Sequence, residues 1–325
     1  MPSEFDLIRR HFSRRPRHTD LAVGDDAALI SPATGTQLAI STDMLVCGTH
    51  FLPDAEPEAL GWKALAVNLS DLAAMAASPR WAFLALALPV ADDFWISAFA
   101  RGFLECADAF GVDLAGGDTT RGPLNVCVTV IGETPAGRAV TRAGARPGDD
   151  VWVSGWPGRA ALGLAMLRGE IDIPDEGARL CLAALHKPQP RIAAGLALRD
   201  LASAMLDVSD GLLGDLGHIL EQSAVGATID STALPVDALT GFGAPAERAR
   251  AALLGGGDDY ELLFTAAPEH RGRIVALSEH LALPLTRIGS TTAHGGELFL
   301  RATDGRLTRV PAMGYDHFHS HAPDP

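Results

Sequence analysis

Six short acidic segments hold the residues best suited to chemistry in this chain: Gly24-Asp25-Asp26, Ser41-Thr42-Asp43, Asn68-Leu69-Ser70-Asp71, Gly116-Gly117-Asp118-Thr119-Thr120-Arg121, Asp207-Val208-Ser209-Asp210-Gly211 and Gly257-Asp258-Asp259-Tyr260-Glu261. Carboxylates beside glycines and hydroxyls suit magnesium, a hard cation that takes oxygen ligands and bridges carboxylates to phosphates. One such segment alone would ordinarily be a turn, because Asp and Gly both fit tight-turn backbone geometry. Six of them, each expected where a strand or helix ends, point to a metal-phosphate site assembled from distant parts of the chain.

The elements that must position these segments can be read from hydrophobic period and turn chemistry. In the first half, strands are expected at 38–42, 81–88, 112–115 and 124–132 and a helix at 92–110. Pro57 opens a further helix running to Ala77, which puts Asn68 and Asp71 on one face. A turn-rich stretch, 133–150, marks a boundary and suggests domains 1–137 and 138–325. Beyond it, strands are expected at 151–154, 204–208, 262–265, 285–288 and 297–301. Helices are expected at 159–167, 191–201 and 212–222, the last with Leu213, Leu216 and Leu220 turned inward. The expected class is α/β with mixed sheets.

Composition narrows the function. With 325 residues, 47% of them hydrophobic, the chain can bury an ample core. Its formal net charge of −14, with no run rich in Lys or Arg, argues against nucleic-acid and anionic-membrane surfaces, and an anionic substrate would need cations beside it. Cys47, Cys106, Cys127 and Cys181 are widely spaced without a CxxC pair and read as buried thiols. Charged residues at the N-terminus exclude a signal peptide, and the longest apolar run, 81–90, is too short to span a bilayer, so a soluble cytoplasmic protein is expected.

Over nearly its whole length the chain closely resembles the thiamine-monophosphate kinase family of the aminoimidazole-ribonucleotide-synthetase-like superfamily. The blocks that carry the resemblance are ISTDMLVCGTHF from Ile40, ALAVNLSDLAAM from Ala64, GGDTTRGP from Gly116, LDVSDGLLGDLGHI from Leu206, GGDDYE from Gly256 and GYDHF from Gly314. The resemblance implies a two-domain synthetase-like fold, with an N-terminal domain that binds ATP and magnesium and pairs in a homodimer around a shared β-barrel, beside a C-terminal α/β domain. It implies ATP-dependent phosphorylation of thiamine monophosphate to thiamine diphosphate, the last step of making that cofactor. By motif position, Asp26, Ser41, Thr42, Asp43, Asp71, Asp118, Asp207 and Asp210 would hold several Mg2+ ions, with Asp43, Asp71, Asp118 and Asp207 at the centre of catalysis. Gly117, Asp118, Arg142 and Ser209 would contact ATP, while His50, Asp258 and Tyr315 would meet thiamine monophosphate.

These roles make chemical sense. A phosphate monoester has a second pKa near ~6, so the acceptor is largely dianionic near neutrality and needs little from a general base. The obstacle is repulsion between two anions, which metal ions could screen while aligning them for direct in-line transfer. At the acceptor's other end, a fixed positive ring charge suits an aromatic face such as Tyr315 and a carboxylate such as Asp258. The family is expected to carry Glu where this chain has the shorter Asp258. Among other readings, a P-loop kinase lacks its GxxxxGK[ST] sequence here, an EF-hand lacks its ligand spacing, and aminoimidazole ribonucleotide synthetase is the nearest enzymatic alternative.

Overall fold

The computed structural model describes residues 4–311, and the chain divides into two compact units. The first comprises residues up to Ala139 together with His186–Ile192; the second comprises Val140–Leu185 and the chain from Ala193 onward.

In the first unit, α1 (Glu4–Leu7) runs into a short π-helical turn, and β1 (Thr19–Leu21) pairs antiparallel with β2 (Leu29–Ile30). The main sheet holds β3 (Thr36–Val46), β4 (Ser78–Leu88), β5 (Asp113–Arg121) and β6 (Asn125–Pro135) in the order β3-β6-β4-β5. Two long helices complete the unit: α2 (Pro57–Ala74), with Pro57 in its first turn and the Glu56 carboxylate accepting from the Ala59 N–H, and α3 (Asp93–Phe110), capped by Asp92. They cross closely because Gly61 and Gly102 carry no side chain. A Cβ on Gly61 would lie 2.0 Å from the Phe99 carbonyl oxygen, and any side chain on Gly102 would strike the carbonyl of Glu58. Leu65, Leu69 and Leu72 of α2, Phe99 and Phe103 of α3, and Trp81 of β4 are fully or almost fully buried in this unit.

A carboxylate fastens the N-terminal segment to the sheet. Asp113, only 6% exposed at the start of β5, accepts from the backbone N–H groups of Arg17, His18 and Thr19 and from the Thr19 hydroxyl. Burial pushes its pKa up, but the donors of His18, Arg17 and Thr19 outweigh that and hold it below the usual carboxylate value. The native carboxyl therefore binds its proton less tightly than the unfolded one. Its stabilisation is complete above the unfolded pKa of about 3.9 and is lost as pH falls through the native value. Asp113→Asn should cost about 2 kcal/mol at neutral pH and flatten the acid limb of stability, measured as denaturation midpoints between pH 3 and 7; an unchanged acid limb would count against this tether.

The second unit is built on a mixed seven-stranded sheet of β7 (Asp150–Ser154), β8 (Ala202–Val208), β9 (Gly226–Asp230), β10 (Glu261–Ala266), β11 (Leu285–Thr292), β12 (Leu298–Arg301) and β13 (Leu307–Arg309), ordered β13-β12-β9-β11-β7-β10-β8. Its helices are α4 (Arg159–Leu167), α5 (Asp175–His186), α6 (Ile192–Leu198), α7 (Leu212–Ser223), α8 (Val236–Gly241), α9 (Ala246–Gly255) and α10 (Arg271–Leu281). Val151, Val153, Leu206, Val208, Leu263 and Ile288 from the strands pack with Leu212, Leu216, Ile219 and Leu220 of α7 in one core. Leu212 and Ile219, rather than Leu213, share the buried face of α7 with Leu216 and Leu220; Leu213 is only partly buried.

Two expected boundaries need correction because they bear on the site. The strand expected at 38–42 continues to Val46, and the strand expected at 112–115 continues to Arg121. The Ser41-Thr42-Asp43 and Gly116-Gly117-Asp118 segments therefore lie within strands and not at their ends. Full-length pairing of β3 with β6 and of β5 with β4 overrides the weak strand propensity of Gly and Asp.

Candidate active site

In the first unit the acidic residues are organised by β3 against α2. Side chains alternate along β3, so Ser41, Asp43 and the buried Leu45 share one face, while Leu38, Ile40, Thr42, Met44 and Val46 lie exposed on the other. Asn68 of α2, wholly buried, accepts the Asp43 N–H on its Oδ1 at 2.9 Å and donates from Nδ2 to the Ala64 carbonyl at 3.0 Å. One helical turn later, Asp71 Oδ2 accepts the Ser41 hydroxyl at 2.5 Å. Residues three apart on a helix share a face, so α2 presents an amide that fixes the strand backbone and a carboxylate that meets a strand hydroxyl.

Other predicted residues of this unit are placed differently. Thr42 points to the opposite face of β3, where its hydroxyl pairs with that of Thr129 at 2.8 Å. His50 accepts the Val46 N–H on Nδ1 at 3.0 Å, which leaves Nε2 to carry the ring proton when the imidazole is neutral. Asp26 lies in an exposed turn, its N–H donating to Asp25 Oδ1 at 2.8 Å. Asp118 is exposed on β5 in register with Ala85 of β4. A cavity lined by Ile8, Phe12, Val23, Leu84 and Leu114 adjoins Gly116, Gly117 and Asp118, an apolar wall beside an acidic strand. Burial and the charge of Asp43 raise the Cys127 thiol pKa, so this half-buried cysteine stays protonated.

In the second unit, β8 delivers Asp207, nearly buried, to the loop Ser209-Asp210-Gly211 at the start of α7. Asp215 organises that loop. Its Oδ2 accepts the backbone N–H groups of Ser209 and Asp210 at 3.0 Å and of Gly211 at 3.2 Å. Burial nevertheless dominates its titration and pushes the pKa up to about 6. Asp215→Ala would leave three donors without this acceptor, each a penalty of about 1–3 kcal/mol where water cannot replace it. Amide exchange at residues 209–211 should therefore accelerate more than that of the β8 amides; unchanged protection would refute the clamp.

The segment before β10 is tied to the same strand end. Asp258 N–H donates to the Ser209 carbonyl and Tyr260 N–H to the Val208 carbonyl, each at 2.8 Å, while the Tyr260 hydroxyl donates to Asp258 Oδ1 at 2.9 Å. The next carboxylates have supporting roles that motif reading missed. Asp259 accepts from Gly158 and Ala160 N–H groups at the start of α4, and burial drives its pKa well above the ordinary carboxylate value. Glu261 accepts the Ser154 hydroxyl at 2.6 Å and stands 3.8 Å from Arg159, whose guanidinium lies 4.9 Å over the Trp156 ring. Arg142 is exposed, and its carbonyl accepts the Ser223 hydroxyl at 3.2 Å. Tyr315 falls outside the described residues.

Among the described residues, no three His, Cys, Asp or Glu side chains within reach of one another form a ready metal cluster, and no helix is long and apolar enough to cross a membrane. The donor chemistry still fits magnesium. Ser41, Asp43, Asp71, Asp118, Asp207 and Asp210 offer only hard oxygens, and Asp71 and Ser41 already face each other.

Family comparison agrees with these segments along most of the chain. Residues 24–134 match the model of the AIR synthase related protein N-terminal domain, and residues 146–301 match that of its C-terminal domain. The chain is 47% identical over 321 residues to the thiamine-monophosphate kinase of Escherichia coli K12, covering 97% of this chain and 98% of that one. It is 36% identical to that of Bacillus subtilis, over 97% of this chain and 99% of the relative. Among solved structures, the thiamine-monophosphate kinase of Stenotrophomonas maltophilia K279a superposes with a TM-score of 0.82 at 44% identity, covering 90% of this chain and 92% of that one. AaThiL complexed with AMPPCP and TMP superposes with a TM-score of 0.75 at 32% identity, covering 91% and 92%.

Proposed function

The chain belongs to the AIR synthase related proteins and, within them, to the thiamine-monophosphate kinases, and from this we infer that it transfers the γ-phosphoryl group of ATP to thiamine monophosphate, giving thiamine diphosphate and ADP. The observation that carries this reading is near-half identity sustained over almost the full length of a thiamine-monophosphate kinase. The relative complexed with AMPPCP and TMP supports both substrates.

Bound magnesium would supply charge neutralisation for two phosphate groups brought together, and Asp26, Ser41, Asp43, Asp71, Asp118, Asp207 and Asp210 would hold the ions, with Thr42, whose hydroxyl lies on the opposite face of β3, able to join them only through its backbone. The protein's own work is positioning. Asn68 holds the backbone of Asp43, and Ser41 holds the carboxylate of Asp71, so the strand that carries Asp43 and the Asp71 carboxylate are both fixed before substrate arrives. Gly117, Arg142 and Ser209 would contact ATP; His50, Asp258 and Tyr315 would contact the acceptor. The acceptor oxygen is already anionic, so transfer proceeds directly and in line, without a phosphoenzyme and without a side chain that must remove a proton.

The reading includes a homodimer formed through the N-terminal domain, 1–137. Its support is the open face of β3, an eleven-residue edge strand on which Ile40 and Met44 are 63% and 54% exposed beside Leu38 and Val46. Long apolar edge strands invite pairing or cover.

Product analysis tests the function. Purified protein with ATP, Mg2+ and thiamine monophosphate should yield one thiamine diphosphate per ADP, and none from free thiamine. Formation of ADP and aminoimidazole ribonucleotide from formylglycinamidine ribonucleotide, with no thiamine diphosphate, would move the protein to the synthetase activity instead.

A further inference from the structure

Three carboxylates fasten the N-terminal segment, and they do so in two different ways. Asp113 is buried and grips the backbone of residues 17–19. Ahead of that anchor, the segment meets both ends of α3 through side chains alone. Arg10 Nη1 and His11 Nε2 each lie 2.9 Å from Asp93 Oδ1 in the first turn of the helix. Arg14 Nη1 and Arg17 Nη2 donate to the two oxygens of Asp108 in its last turn, each at 2.7 Å. The three arginines and both aspartates are about half exposed. A carboxylate in a last turn opposes the helix dipole, so α3 itself gains nothing from Asp108. Burial pushes the Asp108 pKa up, but the hydrogen bonds from Arg14 and Arg17 outweigh that and hold it below the usual carboxylate value.

The part of the segment held in this second way forms a wall of the cavity beside Gly117 and Asp118. Ile8 and Phe12 begin and end the π-helical turn Ile8–Phe12, and both line that cavity opposite Leu84 and Leu114. Turns of this kind are rare and occur mostly at functional sites. The link from the turn to the anchor, residues 13–16, has no regular structure. Exposed ion pairs each contribute little and weaken with salt, whereas a buried, hydrogen-bonded carboxylate is screened much less. The segment therefore has a firm end at 17–19 and a salt-labile end before it. Resting on the kinase reading above, we propose that residues 4–14 are a hinged strap, latched ionically to Asp93 and Asp108, whose seating on α3 completes the cavity wall beside Gly117 and Asp118 and makes ATP affinity respond to ionic strength. When the latches part, Ile8 and Phe12 leave the wall, while β5 stays in place through its pairing with β4 and the Asp113 anchor. ATP binding weakens as a result.

Amide hydrogen exchange on the full-length protein without substrates reads the strap independently of activity. Raising salt from about 0.01 M to about 1 M shortens the Debye length from about 30 Å to about 3 Å, and should speed exchange in residues 5–14 about fivefold or more while residues 17–21 hold. Asp108→Asn keeps the side chain's size and removes a charge that the helix end disfavours, so α3 stays folded. At low salt this variant should show the fast exchange that wild type reaches only at high salt, and its Kd for ATP with Mg2+, measured by calorimetry, should rise about fivefold. Arg9→Gln is the control, because Arg9 pairs with Asp6 inside the strap itself, and it should match wild type in both measurements. Salt-independent exchange in residues 5–14, or equal loosening of residues 17–21, would overturn the strap. An Asp108→Asn protein with fast exchange and an unchanged Kd for ATP would overturn its link to the cavity, and with it the proposal. Failure of the kinase reading looks different: wild type would then bind no ATP and make no thiamine diphosphate at any salt concentration, whereas an active wild type with an unresponsive strap would end only this inference.

Discussion

Asp71→Asn should lose about a hundredfold or more in kcat while keeping the native melting temperature to within a few degrees. The substitution is nearly isosteric, and an asparagine Oδ1 can still accept the Ser41 hydroxyl that Asp71 accepts now. What disappears is one negative charge on the face that α2 turns toward β3. A structural role would survive that exchange; a role in holding cations would not, because phosphoryl transfer between two anions depends on the charge assembled around them. Removing a preorganised electrostatic contact of this kind typically costs about 10²–10³ in rate. The variant's Mg2+ requirement should also shift to higher concentration, which steady-state rates over a Mg2+ titration would read. Wild-type turnover in a folded Asp71→Asn protein would remove Asp71 from the metal-binding set.

The contrast between Asp71 and Asn68 shows what was legible in the chain and what was not. Helical period placed both residues on one face of α2, and the structure has them there. Period alone left open whether that face was solvated. The complete burial of Asn68 and its grip on the Asp43 backbone depend on β3 lying alongside, a long-range fact that local spacing does not contain. The same limit explains the strand lengths. Gly116, Gly117 and Asp118 look like a turn by composition, and only registry with Phe83, Leu84 and Ala85 of β4 draws them into a strand.

Supporting carboxylates were harder still to see. Asp215 carried a faint signal as an acidic residue in the first turn of α7, where helix N-termini favour negative charge. That it would reach back to three N–H groups of the Ser209-Asp210-Gly211 loop follows from how the loop folds over the helix start. Asp259 sat unnoticed beside Asp258, although the two diverge completely: one caps α4 from the interior, and the other is half-buried and held by Tyr260. In a run of acidic residues, alternation decides which side chain faces inward, and that is settled by neighbours outside the run. The tertiary class was easier, because strand and helix patterns recur strongly enough in each half to fix mixed α/β units.

Gly117→Ala should be among the most damaging single changes in the first unit. Gly117 has φ +150°, a conformation that side chains rarely adopt, and a Cβ there would sit 1.9 Å from the Leu84 carbonyl oxygen and 2.7 Å from its carbon. Both are backbone atoms of β4 at the residue registered with Gly117, so no rotamer change relieves the clash. The strand must move instead, carrying Asp118 with it. Strain in the backbone and overpacking against a neighbouring strand each cost about 1–3 kcal/mol, and here they act on the same residue. Gly137→Ala is the fitting control: its φ is +73°, but nothing lies within 4 Å of the added methyl, so only the backbone penalty of about 1 kcal/mol remains. Denaturant midpoints should therefore fall much further for Gly117→Ala than for Gly137→Ala, with turnover lost only in the former. If both variants lost the same stability and kept their activity, the close approach of β5 to β4 would not be what holds Asp118 in place.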